Sequence, residues 1–80
     1  MKINVKFFAR YREALGEGAL SVEGKFSTVD DVRALLAARP GSDVLNEQNL
    51  MCARNEELCQ LDEPLADGDE VAFFPTVTGG

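Results

Sequence analysis

The stretch STVDDVRALLAAR, residues 27 to 39, contains the clearest helix of this 80-residue chain. Ser27 and Thr28 precede the helix, and each hydroxyl is followed three residues later by an aspartate, which is the spacing of a capping box. Pro40 and Gly41 end the helix. Its apolar residues recur at helical spacing and predict one stripe that packs on a sheet, namely Val29, Val32, Leu35 and Leu36.

The residues before this helix predict a hairpin. In KINVKF, residues 2 to 7, polar and apolar residues alternate, which is the pattern of a strand with one buried face. Residues 9 to 16 carry good helix formers and close on Gly16, so they predict a short helical turn. Leu20 and Val22 lie between two glycines and predict a second strand that pairs with the first.

The residues after the helix predict three more strands. The expected elements are a short connecting helix and strands around LMCA, LCQL and VAFFP, at residues 43 to 49, 50 to 53, 58 to 61 and 71 to 75. This order is typical of an α+β, ubiquitin-like β-grasp: a mixed sheet of four to five strands with one main helix and short extra helical turns. We assign residues 1 to 75 to this domain and residues 76 to 80 to a flexible tail.

Two phenylalanines are expected on the face of the sheet that the helix does not cover. Phe8 falls on the polar face of the first strand, and Phe74 follows Phe73, which points into the core. If the first and last strands are adjacent and parallel, Phe8 and Phe74 form one exposed patch, which is typical of a protein interface. The alternative is that a loop or the connecting helix covers them.

Composition excludes several classes of function. Fourteen acidic residues against eight basic ones give a net charge of −6, so no basic stripe for nucleic acid is expected. The acidic surface favours a partner with a basic face. The alternative is that it only keeps the domain soluble. The chain has no histidine and therefore lacks the usual general base of a hydrolase. No apolar stretch approaches the ~20 residues of a membrane span, so we expect no membrane and a cytoplasmic location.

No metal site is expected. Cys52 and Cys59 do not form a CxxC pair, and two thiols cannot supply the four ligands of structural zinc. A two-residue turn at Asn55-Glu56 would make these cysteines face each other, so a disulfide is conceivable, although a cytosolic chain favours reduced thiols. Asp67-Gly68-Asp69 lacks the spaced ligands of a calcium loop and predicts a turn.

The chain ends in Gly79-Gly80. A terminal diglycine presents an α-carboxylate on a stem without side chains, which suits entry into a narrow pocket of another protein. The alternative is a frayed end, since termini tolerate small residues.

Three stretches of the chain carry a resemblance to a known family. Pro64-Leu65, DGDEVAFFP at 67 to 75 and VTGG at 77 to 80 resemble the C-terminal signature of the small subunit of molybdopterin synthase, a ubiquitin-like sulfur carrier. VKFFAR at 5 to 10, followed by Arg12-Glu13, and FSTV at 26 to 29 also resemble that family. The resemblance spans essentially the whole chain.

The resemblance implies a sulfur carrier that is not an enzyme on its own. An ATP-dependent activating enzyme would adenylate Gly80, so that AMP is linked only transiently and no cofactor is bound permanently. Sulfur drawn from a desulfurase would replace AMP and leave a thiocarboxylate. The carrier would then dock on the large synthase subunit, in an assembly of two small and two large subunits, and donate sulfur to cyclic pyranopterin monophosphate.

The resemblance also implies roles for particular residues. Thr78 and Gly79 would thread into the partner, while Phe8, Leu58 and Phe74 would form the partner interface. Thr76 departs from the second proline expected there and is predicted to lengthen the flexible tail by one residue. Alternatives are a sister carrier for thiamine or tRNA thiolation, and a ubiquitin-like interaction module whose tail is inert.

Overall fold

The computed structural model describes residues 1 to 76, so the predicted tail residues Thr78, Gly79 and Gly80 lie outside the described part. Its elements in chain order are β1 (Lys2–Phe7), α1 (Ala9–Leu15), β2 (Ala19–Glu23), α2 (Val29–Ala37), a 3₁₀ turn (Asp43–Asn46), β3 (Met51–Arg54), β4 (Glu57–Cys59) and β5 (Glu70–Phe74). The strands form one five-stranded sheet in the order β2-β1-β5-β3-β4.

The first and last strands form the centre of the sheet. β1 and β5 are parallel, in a register that runs from Asn4 opposite Glu70 to Phe7 opposite Phe73. β2 is antiparallel to β1, and β3 is antiparallel to both β5 and β4. The predicted α+β, ubiquitin-like β-grasp fold is confirmed. The terminal strands are adjacent and parallel, which is the condition under which Phe8 and Phe74 were expected to share one patch.

Helix α2 covers one face of the sheet, which we call the inner face. Val29, Val32 and Leu36 of α2 are buried with the inward side chains of the central strands, which include Ile3, Val5, Phe7, Val71 and Phe73. Leu35 is 47% exposed, so its predicted place in the apolar stripe is wrong. At 100° per residue Leu35 points roughly a quarter turn away from the centre of that stripe.

The segment that follows β4 forms hydrogen bonds with the N-terminus of α2. The Asp31 carboxylate accepts hydrogen bonds from the Ser27 and Thr28 N–H groups at 2.7 and 3.0 Å. The Val29 and Asp30 N–H groups donate to carbonyls of the segment after β4, at residues 63 and 61. That segment therefore leaves the sheet to cross the helix N-terminus, which is why β4 ends at Cys59 and not at residue 61 as predicted.

One local prediction needs adjustment in length, and the hairpin turn has the two residues considered from the sequence. The connecting helix is a 3₁₀ turn that ends at Asn46, three residues earlier than predicted. Asn55 and Glu56 have φ values of 49° and 71°, so they form the two-residue hairpin turn between β3 and β4.

Within residues 1 to 76, no helix is long and apolar enough to cross a membrane.

Candidate functional site

The face of the sheet opposite α2, the outer face, carries a shallow apolar depression. Phe8, Leu58 and Phe74 line it, and we call these three residues the outer-face patch. Leu58 is 70% exposed and Phe8 is 47% exposed, whereas Phe74 is half-buried. The structure thus brings together the three side chains proposed as a partner interface, and among residues 1 to 76 neither a loop nor the 3₁₀ turn covers Phe8 or Leu58.

Strand register explains why the patch is concave. Leu58 of β4 lies opposite Ala53 of β3, and Ala53 lies opposite Ala72 of β5. These alanines form a low floor because their side chains are short, while the larger Leu58 and the two phenylalanines stand around it. A depression with aromatic walls suits an apolar anchor side chain from another protein.

Charged residues border the patch. Lys6 Nζ lies 3.0 Å from the Glu70 carboxylate, and both residues line the depression together with Glu56. Sequence reasoning missed Lys6, Glu70 and Ala53 as members of this surface. The alternation of β1 and β5 contains the signal for the first two, because it places them on the same face as Phe8 and Phe74.

The chain leaves the sheet beside this patch. β5 ends at Phe74, and two residues later the Thr76 hydroxyl donates a hydrogen bond to the Asn49 carbonyl. Thr76 is the part of the predicted tail that the structure describes, and it lies two residues beyond Phe74 and contacts the body of the domain.

The two cysteines face each other on β3 and β4, as the turn at Asn55-Glu56 predicts. Cys52 lies opposite Cys59 with the sulfurs 3.7 Å apart, and both are free thiols. Burial raises the pKa of Cys52 to about 12 and also raises the pKa of Cys59. Both thiols are therefore protonated at neutral pH and are weak nucleophiles.

The Asp67-Gly68-Asp69 segment is a turn, as predicted, with Gly68 at a φ of 88°. The Asp69 carboxylate accepts hydrogen bonds from the Ala66 N–H at 2.8 Å, Asn55 Nδ2 at 3.1 Å and Arg54 Nε at 2.8 Å. The Ala66 N–H, followed by the other donors, lowers the pKa of Asp69. This acidic residue is thus used to tie the turn to β3, and residues 1 to 76 contain no cluster of three or more potential metal ligands.

Comparisons with known proteins identify relatives over almost the full length of the chain. The sequence model of the ThiS family matches residues 5 to 80. The molybdopterin synthase sulfur carrier subunit of Escherichia coli (strain K12) is 48% identical over 82 residues, covering 98% of this chain and 99% of that protein. The crystal structure of SAMP1 from Haloferax volcanii superimposes with a TM-score of 0.82 and 31% identity, over 100% of both chains.

A solved complex is also similar. It contains subunits 1 and 2 of the molybdopterin-converting factor from Helicobacter pylori 26695, and the matched chain has a TM-score of 0.71 and 29% identity, over 100% of both chains. The fold and the whole length of the chain are therefore shared with these proteins.

Proposed function

This chain belongs to the ThiS family, and from that premise we propose that it is the sulfur carrier subunit of a molybdopterin synthase, acting in molybdenum cofactor biosynthesis. The observation that carries the proposal is the 48% identity, over almost the full length of both proteins, with the Escherichia coli subunit of that name. The outer-face patch supports it, because a carrier needs a docking surface close to the point where its reactive end leaves the domain.

The chemistry proposed for the chain takes place at Gly80. An α-carboxylate is ionised at pH 7 in ordinary surroundings and is a poor electrophile. An activating enzyme that uses ATP would convert it to an acyl-adenylate, in which AMP is a good leaving group. A persulfide supplied by a desulfurase system would attack with its outer sulfur and release AMP, and a thiol would then reduce the resulting acyl disulfide, leaving a C-terminal thiocarboxylate.

Docking and threading are proposed to involve separate parts of the chain. The outer-face patch would bind the large synthase subunit, in keeping with the similar Helicobacter pylori chain, whose structure is of a complex between subunits 1 and 2. Thr78 and Gly79 would enter the partner, and residues 76 to 80 can span at most roughly 18 Å at ~3.3–3.6 Å per residue. Glycine at the end lets the main chain pass where a Cβ would clash.

A mass measurement tests the proposal. The purified chain is incubated with ATP, the activating enzyme and a sulfur source, and its intact mass is expected to rise by about 16 Da as one oxygen is replaced by sulfur. The variant lacking Gly80 is expected to show no gain and an unchanged melting temperature. An unchanged mass of the full chain, in a mixture that loads the Escherichia coli carrier, would overturn the proposal.

Partner capture then identifies the pathway. The immobilised chain is expected to retain the large subunit of molybdopterin synthase from an equimolar mixture with a thiazole synthase and a tRNA-thiolating enzyme. Retention of either of the other two enzymes instead would assign the chain to a sister pathway.

A further inference from the structure

The antiparallel register of β3 and β5 continues beyond the end of the sheet. It pairs Arg54 with Val71 at one end and Met51 with Phe74 at the other. Two further steps of the same register place Asn49 opposite Thr76. Pro75 lies between these pairs and has no N–H to donate. The Thr76 hydroxyl donates to the Asn49 carbonyl, so a side chain continues the bonding between the two segments.

The segment that contains the acceptor is itself held in place. The Leu50 N–H donates to the Glu47 carbonyl at 3.3 Å, which closes residues 47 to 50 into a turn. The Arg10 guanidinium binds both oxygens of the Glu47 carboxylate, and the Tyr11 hydroxyl donates to the same carboxylate at 3.0 Å. The hydrogen bond from Arg10 is also the main reason that the pKa of Glu47 is lowered.

These contacts connect the start of the tail to the outer-face patch. Tyr11 has no exposed surface and packs in the same core cluster as Phe7 of β1, so it anchors α1 to the core. The same helix follows directly after Phe8, and its Arg10 and Tyr11 hold Glu47. The patch and the acceptor for Thr76 therefore belong to one packed unit.

We propose that Thr76 is a positioning residue for the sulfur-carrier reaction, and that Glu47 supports it by holding the Asn49 carbonyl in place. The bond fixes the position of Thr76, the last residue that the structure describes, relative to the outer-face patch. The inference rests on the proposed function, because only a chain end that enters a partner while the patch is docked gains from a fixed position of Thr76. Fixing that position before docking reduces the conformational entropy lost on threading.

Two substitutions separate the hydroxyl from the bulk of the side chain. Thr76→Val keeps the shape and removes the donor, whereas Thr76→Ser keeps the donor. Ser21→Ala is a matched control, because it removes another exposed hydroxyl, which hydrogen-bonds Asn4 Oδ1 at 3.0 Å on the β1–β2 hairpin. Thr76 is exposed, so all three variants are expected to fold with melting temperatures close to that of the unchanged chain.

The first measurement needs no partner. The ¹H–¹⁵N heteronuclear NOE of the Thr76 amide is expected to fall in Thr76→Val and to stay at the original value in Thr76→Ser and Ser21→Ala. The second measurement is the steady-state transfer of sulfur from the thiocarboxylated chain in the presence of the large synthase subunit, the partner proposed to dock on the outer-face patch. Thr76→Val is expected to raise KM by about two- to tenfold at unchanged kcat, which is the range of one net hydrogen bond, and Thr76→Ser is expected to restore it.

A fourth variant tests the support that α1 provides through Glu47. Glu47→Gln preserves size but removes the charge that binds Arg10. It is therefore expected to lower the NOE of residue 76 and to raise KM, as Thr76→Val does, but by a smaller factor. Equal NOE values in the unchanged chain and Thr76→Val would overturn the anchoring, and a lower NOE with an unchanged KM would overturn its role in the reaction. If the unchanged chain is not adenylated while the Escherichia coli carrier is, the proposed function fails, and the NOE comparison still decides whether Thr76 is anchored.

Discussion

Phe7 of β1 and Phe73 of β5 stack against each other in the core, with ring centroids 6.3 Å apart and an angle of 22° between the rings. The two residues are directly opposite in the parallel register of the central strands. Because side chains alternate between faces along a strand, the next residues, Phe8 and Phe74, lie on the outer face. One pair of adjacent strands thus supplies both the centre of the core and the aromatic walls of the outer-face patch.

The two phenylalanines at the end of β5 are expected to differ in their contribution to stability. Phe73 has no exposed surface, so Phe73→Ala is expected to lower the free energy of unfolding by about 3–5 kcal/mol. Phe74 is half-buried, and Phe74→Ala is expected to cost less than half as much while weakening binding to the large subunit. Urea denaturation and calorimetric titration measure the two effects, and equal stability losses would place Phe74 in the core.

Leu58 is expected to contribute to docking and little to folding. It is 70% exposed, so Leu58→Ala is expected to change the free energy of unfolding by no more than about 0.5 kcal/mol. Its loss from the outer-face patch is expected to raise the Kd for the large subunit by about tenfold. Leu35→Ala is the matched control, since Leu35 is 47% exposed but lies on α2, in the other layer of the domain. A weaker complex with both variants would contradict a specific role for the outer face.

Asp69 is expected to make stability sensitive to acid. Its donors lower its pKa in the folded state below the ordinary value of about 3.9. The stabilisation is therefore present above about pH 4 and is lost as the pH falls through the folded-state pKa. Asp69→Asn is expected to lower the melting temperature at pH 7, and the difference from the unchanged chain is expected to shrink towards pH 2.

Thermal unfolding followed by circular dichroism at several pH values gives this comparison. Asp62→Asn, a change at an exposed loop position, serves as the control and is expected to leave the melting temperature at pH 7 unchanged. A difference between the unchanged chain and Asp69→Asn that grows on acidification would reverse the sign of the prediction.

The paired cysteines are expected to resist alkylation at neutral pH. A thiol is protonated below its pKa, so the raised pKa values of Cys52 and Cys59 reduce the reactive thiolate at pH 7. Iodoacetamide is expected to react slowly at pH 7 and faster at higher pH, at Cys59 before Cys52, because Cys52 is buried and Cys59 is only half-buried. Peptide mapping locates the label, and a chain unfolded in urea provides the reference rate. Labelling of Cys52 at that reference rate would show that it is not buried.

Several properties of the protein follow from residues close together in the sequence. The alternation in residues 2 to 7 predicts β1 and places Phe8 away from the core. The hydroxyl and aspartate spacing around Thr28 predicts the start of α2, and the Asp31 carboxylate does accept hydrogen bonds there. These patterns can be interpreted from the sequence because strand and helix periods depend on the local backbone alone. The family resemblance is likewise carried by short runs such as DGDEVAFFP.

The tertiary structure alone decides which distant segments meet. The sequence does not show that Glu47 lies against Arg10 and Tyr11, more than thirty residues away, or that Thr76 faces Asn49. It also does not show that Ala53 and Ala72 form a common floor beneath Leu58. Such contacts depend on the register between strands and on the path of each loop. Neither can be predicted from the spacing of apolar residues within a single strand or helix. The sequence therefore determined the elements and the faces of their side chains, whereas packing decided how the outer-face patch and Thr76 are joined.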